Sequence, residues 1–131
     1  MTIFEAKLKI NKSVTQIYTF LADLNNHQQL MPENVTNWSS TKDEARFAIQ
    51  NMANLKLNVS NRIENSTIIV PATEAPFNIE LRWVTVDLED EGTEVILTLS
   101  ADLNMMMKIM ASTPLQKFTD FQVDKLKYIF A

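Results

Sequence analysis

The sequence predicts an α+β domain: a curved, seven-stranded antiparallel sheet wrapped around a long C-terminal helix, with one or two short helices after the first strand. Three observations carry this prediction. Apolar and polar residues alternate with a period of two over residues 3–10 and again, segment after segment, from Val35 to Leu103. A helical period follows the first strand and returns at the C-terminus. The alternation leaves each strand with one apolar face and one wet face, as in an antiparallel sheet, and only the last helix is large enough to cover the apolar side.

Residues 3–10 set Phe4, Ala6, Leu8 and Ile10 against Glu5, Lys7 and Lys9, giving a strand with one buried face. Ser13 and Gln16 stand at capping-box spacing. Val14, Ile17, Tyr18, Leu21 and Leu24 then share a helical face, which predicts a helix over 14–24. A short irregular or helical piece continues through Asn25–Met31 until Pro32 stops it. Strands follow at 35–41, around Trp38, and at 44–50, where Ala45, Phe47 and Ile49 oppose Glu44, Arg46 and Gln50. The alternation over 55–63 puts Leu55, Leu57, Val59, Asn61 and Ile63 in one phase, and 66–71 forms a short strand ended by Pro71. Over 77–89 the apolar phase switches from Phe77, Ile79, Leu81 and Trp83 to Val84, Val86 and Leu88, as a bulge would produce. Asp90, Glu91 and Gly92 make the turn into 93–103, whose inward set is Val95, Leu97, Leu99, Ala101 and Leu103. Asn51, Asn54, Asn65 and Asn104 stand where loops would otherwise use glycine, because asparagine tolerates left-handed backbone.

The C-terminal region is helical again. Asn104 is placed to cap a short Met-rich helix over Met105–Ala111. Thr113 and Gln116 repeat the capping-box spacing with Pro114 at the first helical position, so a separate helix is expected over 114–130. At ~1.5 Å per residue it spans about 25 Å, close to the width of six or seven strands ~4.8 Å apart. One helix can therefore cross the whole sheet.

Composition narrows the chemistry. The 131 residues suit one domain over 1–131, and 46% hydrophobic with 21% charged residues is an ordinary globular balance. A net charge of −4 disfavours nucleic acid, whose backbone calls for a basic surface. With no Cys there are no disulfides, thiolate nucleophiles or Cys-based metal sites, and a lone His27 excludes multi-histidine metal sites. The single Gly92 excludes glycine-rich phosphate loops. The N-terminal MTIFEAKLKI lacks the apolar core of a secretory signal, and no apolar run approaches membrane-spanning length, so a cytoplasmic protein is expected.

The order of one strand, a helix with a short second piece, six strands and a long terminal helix resembles the START-related, Bet v 1-like (SRPBCC) helix-grip superfamily. The segment Asp23-Leu-Asn-Asn-His27-Gln-Gln-Leu30-Met31-Pro32 is similar in spacing to the first-helix exit of its polyketide cyclase/coenzyme Q-binding branch. There an Asp is followed by an aromatic, two apolar residues and a Pro. Asp23, Leu30, Met31 and Pro32 fit, and His27 stands in the aromatic's place. The resemblance implies a hydrophobic cavity between sheet and helix that takes lipids, sterols, quinones or polyketide-like molecules. A minority of such domains catalyse cyclisation, dehydration or hydrolysis with a few polar cavity residues.

The residues expected to line such a cavity are Phe47, Leu57, Val59, Leu81, Trp83, Leu97, Leu99, Met107, Met110, Phe118, Thr119 and Gln122. Thr119 and Gln122 fall inside the apolar arc of the terminal helix, where they either orient a ligand or bond to backbone in an ordinary core. Asn61 offers the same choice between a cavity acceptor and a strand-edge residue. Met105, Met106, Met107 and Met110 either form an adaptable pocket entrance or fill an irregular corner of the core. His27 is the one natural proton shuttle near neutrality, although a surface helix-exit histidine is the simpler reading. The acidic Asp87, Glu89, Asp90 and Glu91 read as a solvated hairpin tip matching no calcium loop. Binding of a small hydrophobic molecule, with no cofactor and no metal, is the leading expectation. A cyclase or dehydrase ranks second, because inward positions offer almost no titratable groups. A filled-core domain acting through protein contacts is the third.

Overall fold

A computed structural model of the protein describes residues 1–50 and 52–131; the loop role expected of Asn51 lies outside them. The chain runs β1 (Thr2–Ile10), α1 (Val14–Leu21), a 3₁₀ helix (Leu24–Leu30), β2 (Val35–Ser40), β3 (Glu44–Ile49), β4 (Ala53–Asn58), β5 (Asn61–Ile63), β6 (Thr67–Glu74), β7 (Ile79–Asp87), β8 (Thr93–Ala101) and α2 (Met105–Ile129). The strands form one antiparallel sheet in the order β1-β8-β7-β6-β4-β3-β2, with β5 hydrogen-bonded beside β6. The expected α+β helix-grip architecture is present, with one strand more than the alternation suggested.

The extra strand comes from a break in the phase. Residues 55–63 do not form one strand: β4 ends at Asn58, and β5 restarts on the opposite phase. Asn61 and Ile63 therefore face solvent, and Arg62 turns inward. Its guanidinium donates to the carbonyls of Ala22 and Lys42, both at 3.0 Å, and pairs with Asp43 at 2.8 Å. Three backbone segments are tied together by that one side chain.

No phase switch occurs in β7. Its register against β8 is unbroken from Ile79↔Ala101 to Asp87↔Thr93, and Thr85 continues the inward phase of Ile79, Leu81 and Trp83. The Thr85 hydroxyl donates to the Asn65 carbonyl at 2.9 Å, which satisfies it in the interior. Val84 and Val86 lie on the outer face instead. The irregularities fall elsewhere, between Thr36 and Ser39 of β2, where Asn37 has φ 57, and between Lys56 and Leu57 of β4. β6 also runs past Pro71, because after that residue it pairs with β4 through Ala72 and Glu74.

At the helices, α1 ends at Leu21 rather than Leu24. Asp23 then caps the 3₁₀ helix by accepting the Asn25 amide at 3.0 Å. The two helices expected at the C-terminus are a single one, capped by Asn104 with Pro114 inside it. Proline removes the bond its own amide would make to the Met110 carbonyl, and its ring crowds that carbonyl, yet the helix runs through. The capping box expected at Thr113 and Gln116 does not form; Gln116 donates to the Glu5 carbonyl and to Asp120.

Gly92 closes the β7–β8 hairpin at φ 93, a left-handed conformation open to glycine. A Cβ on this residue would collide with the Ile10 carbonyl and lie 2.9 Å from Asn11 Cα. The hairpin tip thus rests directly on the end of β1, where Thr93 donates its hydroxyl to the Lys12 carbonyl at 2.8 Å. Gly92→Ala is expected to cost about 2 kcal/mol or more of stability, combining backbone strain with displacement of β1. Urea unfolding of the two proteins checks this, and equal midpoints would refute it.

Candidate functional site

The site is built where α2 parts from the sheet. Ala111, Leu115, Phe118, Gln122, Val123 and Leu126 form the buried stripe of α2, and its main packing partners are β1, β8 and the 3₁₀ helix. On the side of the β3–β4 hairpin a wedge remains, with a cavity of about 480 Å³. Met110, Pro114, Leu115, Phe118 and Phe121 of α2 form one wall. Ile49, Gln50 and Met52 form the other, and Pro32 with Asn34 close one end. Thr113 and Lys117 also belong to the lining, and Lys117 is its only charged residue among the described residues.

Of the twelve residues expected to line a cavity, Met110 and Phe118 lie along this one, and Phe47 borders a smaller one of about 210 Å³ beside Arg46 and Glu74. Phe47, Leu57, Leu81, Trp83, Leu97 and Leu99 are at most 4% exposed and pack into the core, with Val59 and Met107 half-buried against it. Phe47 is held there by Trp38, whose ring stacks on it with centroids 5.2 Å apart. Thr119 and Gln122 are also fully buried. The Thr119 hydroxyl donates to the Leu115 carbonyl one turn back at 2.8 Å and is thereby spent within its own helix. Gln122 Nε2 reaches the Phe118 carbonyl at 3.4 Å, whereas Gln122 Oε1 and Trp83 Nε1 have no partner among the described residues.

Sequence reasoning did not pick out the hairpin wall. Ile49 was visible as an inward position of its strand, but nothing in the alternation indicates that α2 stands off from that edge. The Met-rich stretch does not fill a core corner. Met105, Met106 and Met110 are 71–80% exposed, as is Ile109, while Met107 alone turns inward. This exposed apolar face of α2 leads to the cavity at Met110.

His27 is not a surface residue. It is 4% exposed and meets Trp83 edge-on at 5.9 Å between centroids, filling the position where the resembled branch has an aromatic. Its Nε2 lies 2.8 Å from the Leu21 carbonyl, which can only accept, so the proton sits on that nitrogen. Burial pushes its pKa down from 6.5 to about 4, against the raising effects of the Leu21 hydrogen bond and the Asp23 charge. A neutral, enclosed imidazole of this kind is a core group. Among the described residues no three His, Asp or Glu side chains converge as a metal site, and no helix is long and apolar enough to cross a membrane.

No family model and no curated protein matches the sequence. Solved structures do match it. The chain is similar to the protein XoxI from Bacillus cereus (TM-score 0.80, 12% identity, covering 99% of this chain and 96% of that one). It is also similar to a protein from Thermus thermophilus (0.79, 17%, 97% and 95%) and to a START superfamily protein from Mycobacterium smegmatis (0.72, 16%, 98% and 96%). The chain thus has the helix-grip fold of the START superfamily.

Two predictions follow from the buried polar groups. The folded state lowers the pKa of His27, so the unfolded chain binds its proton more readily. The resulting stability is complete above pH 6.5 and is lost as pH falls towards 4, a change of roughly 3 kcal/mol. Denaturant titrations of wild type and His27→Gln across that window should show a flatter profile in the variant; parallel profiles would refute the assignment. Replacing Gln122 by Met removes an unpartnered buried oxygen at similar volume and should raise stability by about 1 kcal/mol. A lower unfolding midpoint would mean that the amide is better satisfied than its geometry indicates.

Proposed function

We propose that this domain binds a small hydrophobic molecule, of lipid-, quinone-, sterol- or polyketide-like character, in the wedge between α2 and the β3–β4 hairpin. The observation that carries this reading is a mostly apolar cavity of about 480 Å³, inside the ~300–1,000 Å³ range of ligand pockets. Affinity would come from apolar burial against Ile49, Met52, Leu115, Phe118 and Phe121, with Asn34, Gln50 and Thr113 available to orient polar atoms. The exposed methionines beside the mouth suit an entrance that repacks around ligands of different shape.

Binding is favoured over catalysis by the composition of the lining. A cyclase or dehydrase acting by proton transfer calls for an acid and a base within reach of the substrate. Among the described residues Lys117 is the one titratable lining group, and His27 is enclosed elsewhere, beside Trp83. The START-fold likeness fits the binding reading at the level of architecture.

Displacement of the neutral dye phenylnaphthylamine by octanol, decanol and dodecanol tests the proposal. Each added methylene should tighten binding about fourfold until the wedge is full, corresponding to ~0.8 kcal/mol per buried CH₂. Phe121, 40% exposed on the cavity wall, can be truncated with little effect on folding. Phe121→Ala should weaken the alcohols severalfold. No displacement by any alcohol, or affinities independent of chain length and of Phe121, would overturn the reading.

A further inference from the structure

We propose that the preferred ligand of this wedge is an amphiphile with a single negative charge, a carboxylate carried on an apolar chain or ring, seated with its headgroup at Lys117. The inference rests on the binding function just proposed and adds the chemistry of the headgroup. Among the described residues, the polar side chains of the lining apart from Lys117 are Asn34, Gln50 and Thr113, all neutral, and no carboxylate is in it. In a chain with a net charge of −4, a binding wall free of acidic groups and holding one cation is a local reversal of sign.

None of the neighbouring acids is among the lining residues. Asp120, one turn beyond Lys117, accepts the Gln116 amide at 2.9 Å, and that same amide reaches the Glu5 carbonyl of β1. Asp124, two turns beyond Lys117, and Glu33, between Pro32 and Asn34, are exposed and outside the lining. Lys117 is exposed and, like most of the chain's cations, makes no ion pair within 4 Å among the described residues, so its ammonium is open to a ligand. One ammonium matches one carboxylate. It is a point charge without the fork of an arginine, and neutral amides from Asn34 and Gln50 can donate to the remaining oxygen lone pairs. The apolar side chains of Leu115, Phe118 and Phe121 sit on the same helix and would run alongside the tail.

Decanoate and decanol share a chain and differ in the headgroup, so they isolate the contribution of Lys117. Both are titrated against phenylnaphthylamine-loaded protein at pH 8, in low and high salt, with wild type, Lys117→Gln and Lys117→Glu. Decanoate should bind wild type roughly fivefold tighter than decanol, with the advantage shrinking at high salt, as for a partly exposed ion pair. The decanoate-to-decanol affinity ratio should fall to about one in Lys117→Gln and below one in Lys117→Glu, each ratio being taken within the same variant. Equal affinities on wild type, or a decanoate preference that survives Lys117→Gln, would overturn the headgroup assignment and leave the apolar-pocket reading standing. Failure of both compounds to displace the dye would instead overturn the pocket reading, and the headgroup assignment with it.

Discussion

One constraint organises the molecule: a helix of 25 residues must bury a single stripe against a sheet that it touches mainly along β1 and β8. At ~1.5 Å per residue such a helix is about 37 Å long, more than the sheet needs for cover. Its C-terminal half is seated through Phe118, Gln122, Val123 and Leu126. Its first turns leave Met105, Met106, Ile109 and Met110 largely exposed. Because α2 is anchored towards β1, the β3–β4 hairpin at the other side of the sheet faces its flank across a gap. That gap is the cavity. Its position follows from where the helix is fixed, and its apolar character from the same alternation that builds the core.

The interior is held in register by polar groups as well as by packing. Thr85 and Thr93 each send a hydroxyl to a carbonyl of a distant loop, and Gln116 reaches the Glu5 carbonyl of β1. Arg62 joins the end of α1 to the β2–β3 turn through two carbonyls and Asp43. These bonds pin the short helices and the hairpin tips, so the walls around the wedge stand on fixed supports. His27 belongs to the same class of group, since its neutral ring completes the packing on Trp83 and its one donated bond satisfies the carbonyl of Leu21. The sequence reading put this histidine at the surface, because nothing local shows that Trp83 and the Leu21 carbonyl close over it.

The departures from the sequence reading share one cause. Alternation reports which side chains are apolar, and it is silent where a polar residue finds an interior partner or an apolar one is left outside. Thr85 looked outward because the count favoured Val84 and Val86. Ile63 looked inward because nothing local revealed the break at Val59 and Ser60 that splits β4 from β5. Thr113-Pro-Leu-Gln has every feature of a helix start, yet the preceding turn was already helical from the Asn104 cap, and the helix continues through Pro114 despite the lost hydrogen bond and the crowding of its ring against the preceding turn. In each case a long-range contact overrode a local preference.

By itself, the sequence determined the sheet-and-cover-helix plan, the one apolar face of the antiparallel sheet and the buried set from Val95 to Leu103, because the periods of two and 3.6 are properties of the backbone that side-chain polarity marks directly. It also determined the absence of thiol and multi-histidine chemistry, which is a matter of composition. Only the tertiary structure decided which end of the helix–sheet interface stays open and that Lys117 stands alone as the charge on its wall. The gap is set by the placement of α2 relative to a hairpin more than fifty residues away in the chain. No periodicity within either segment encodes the distance between them.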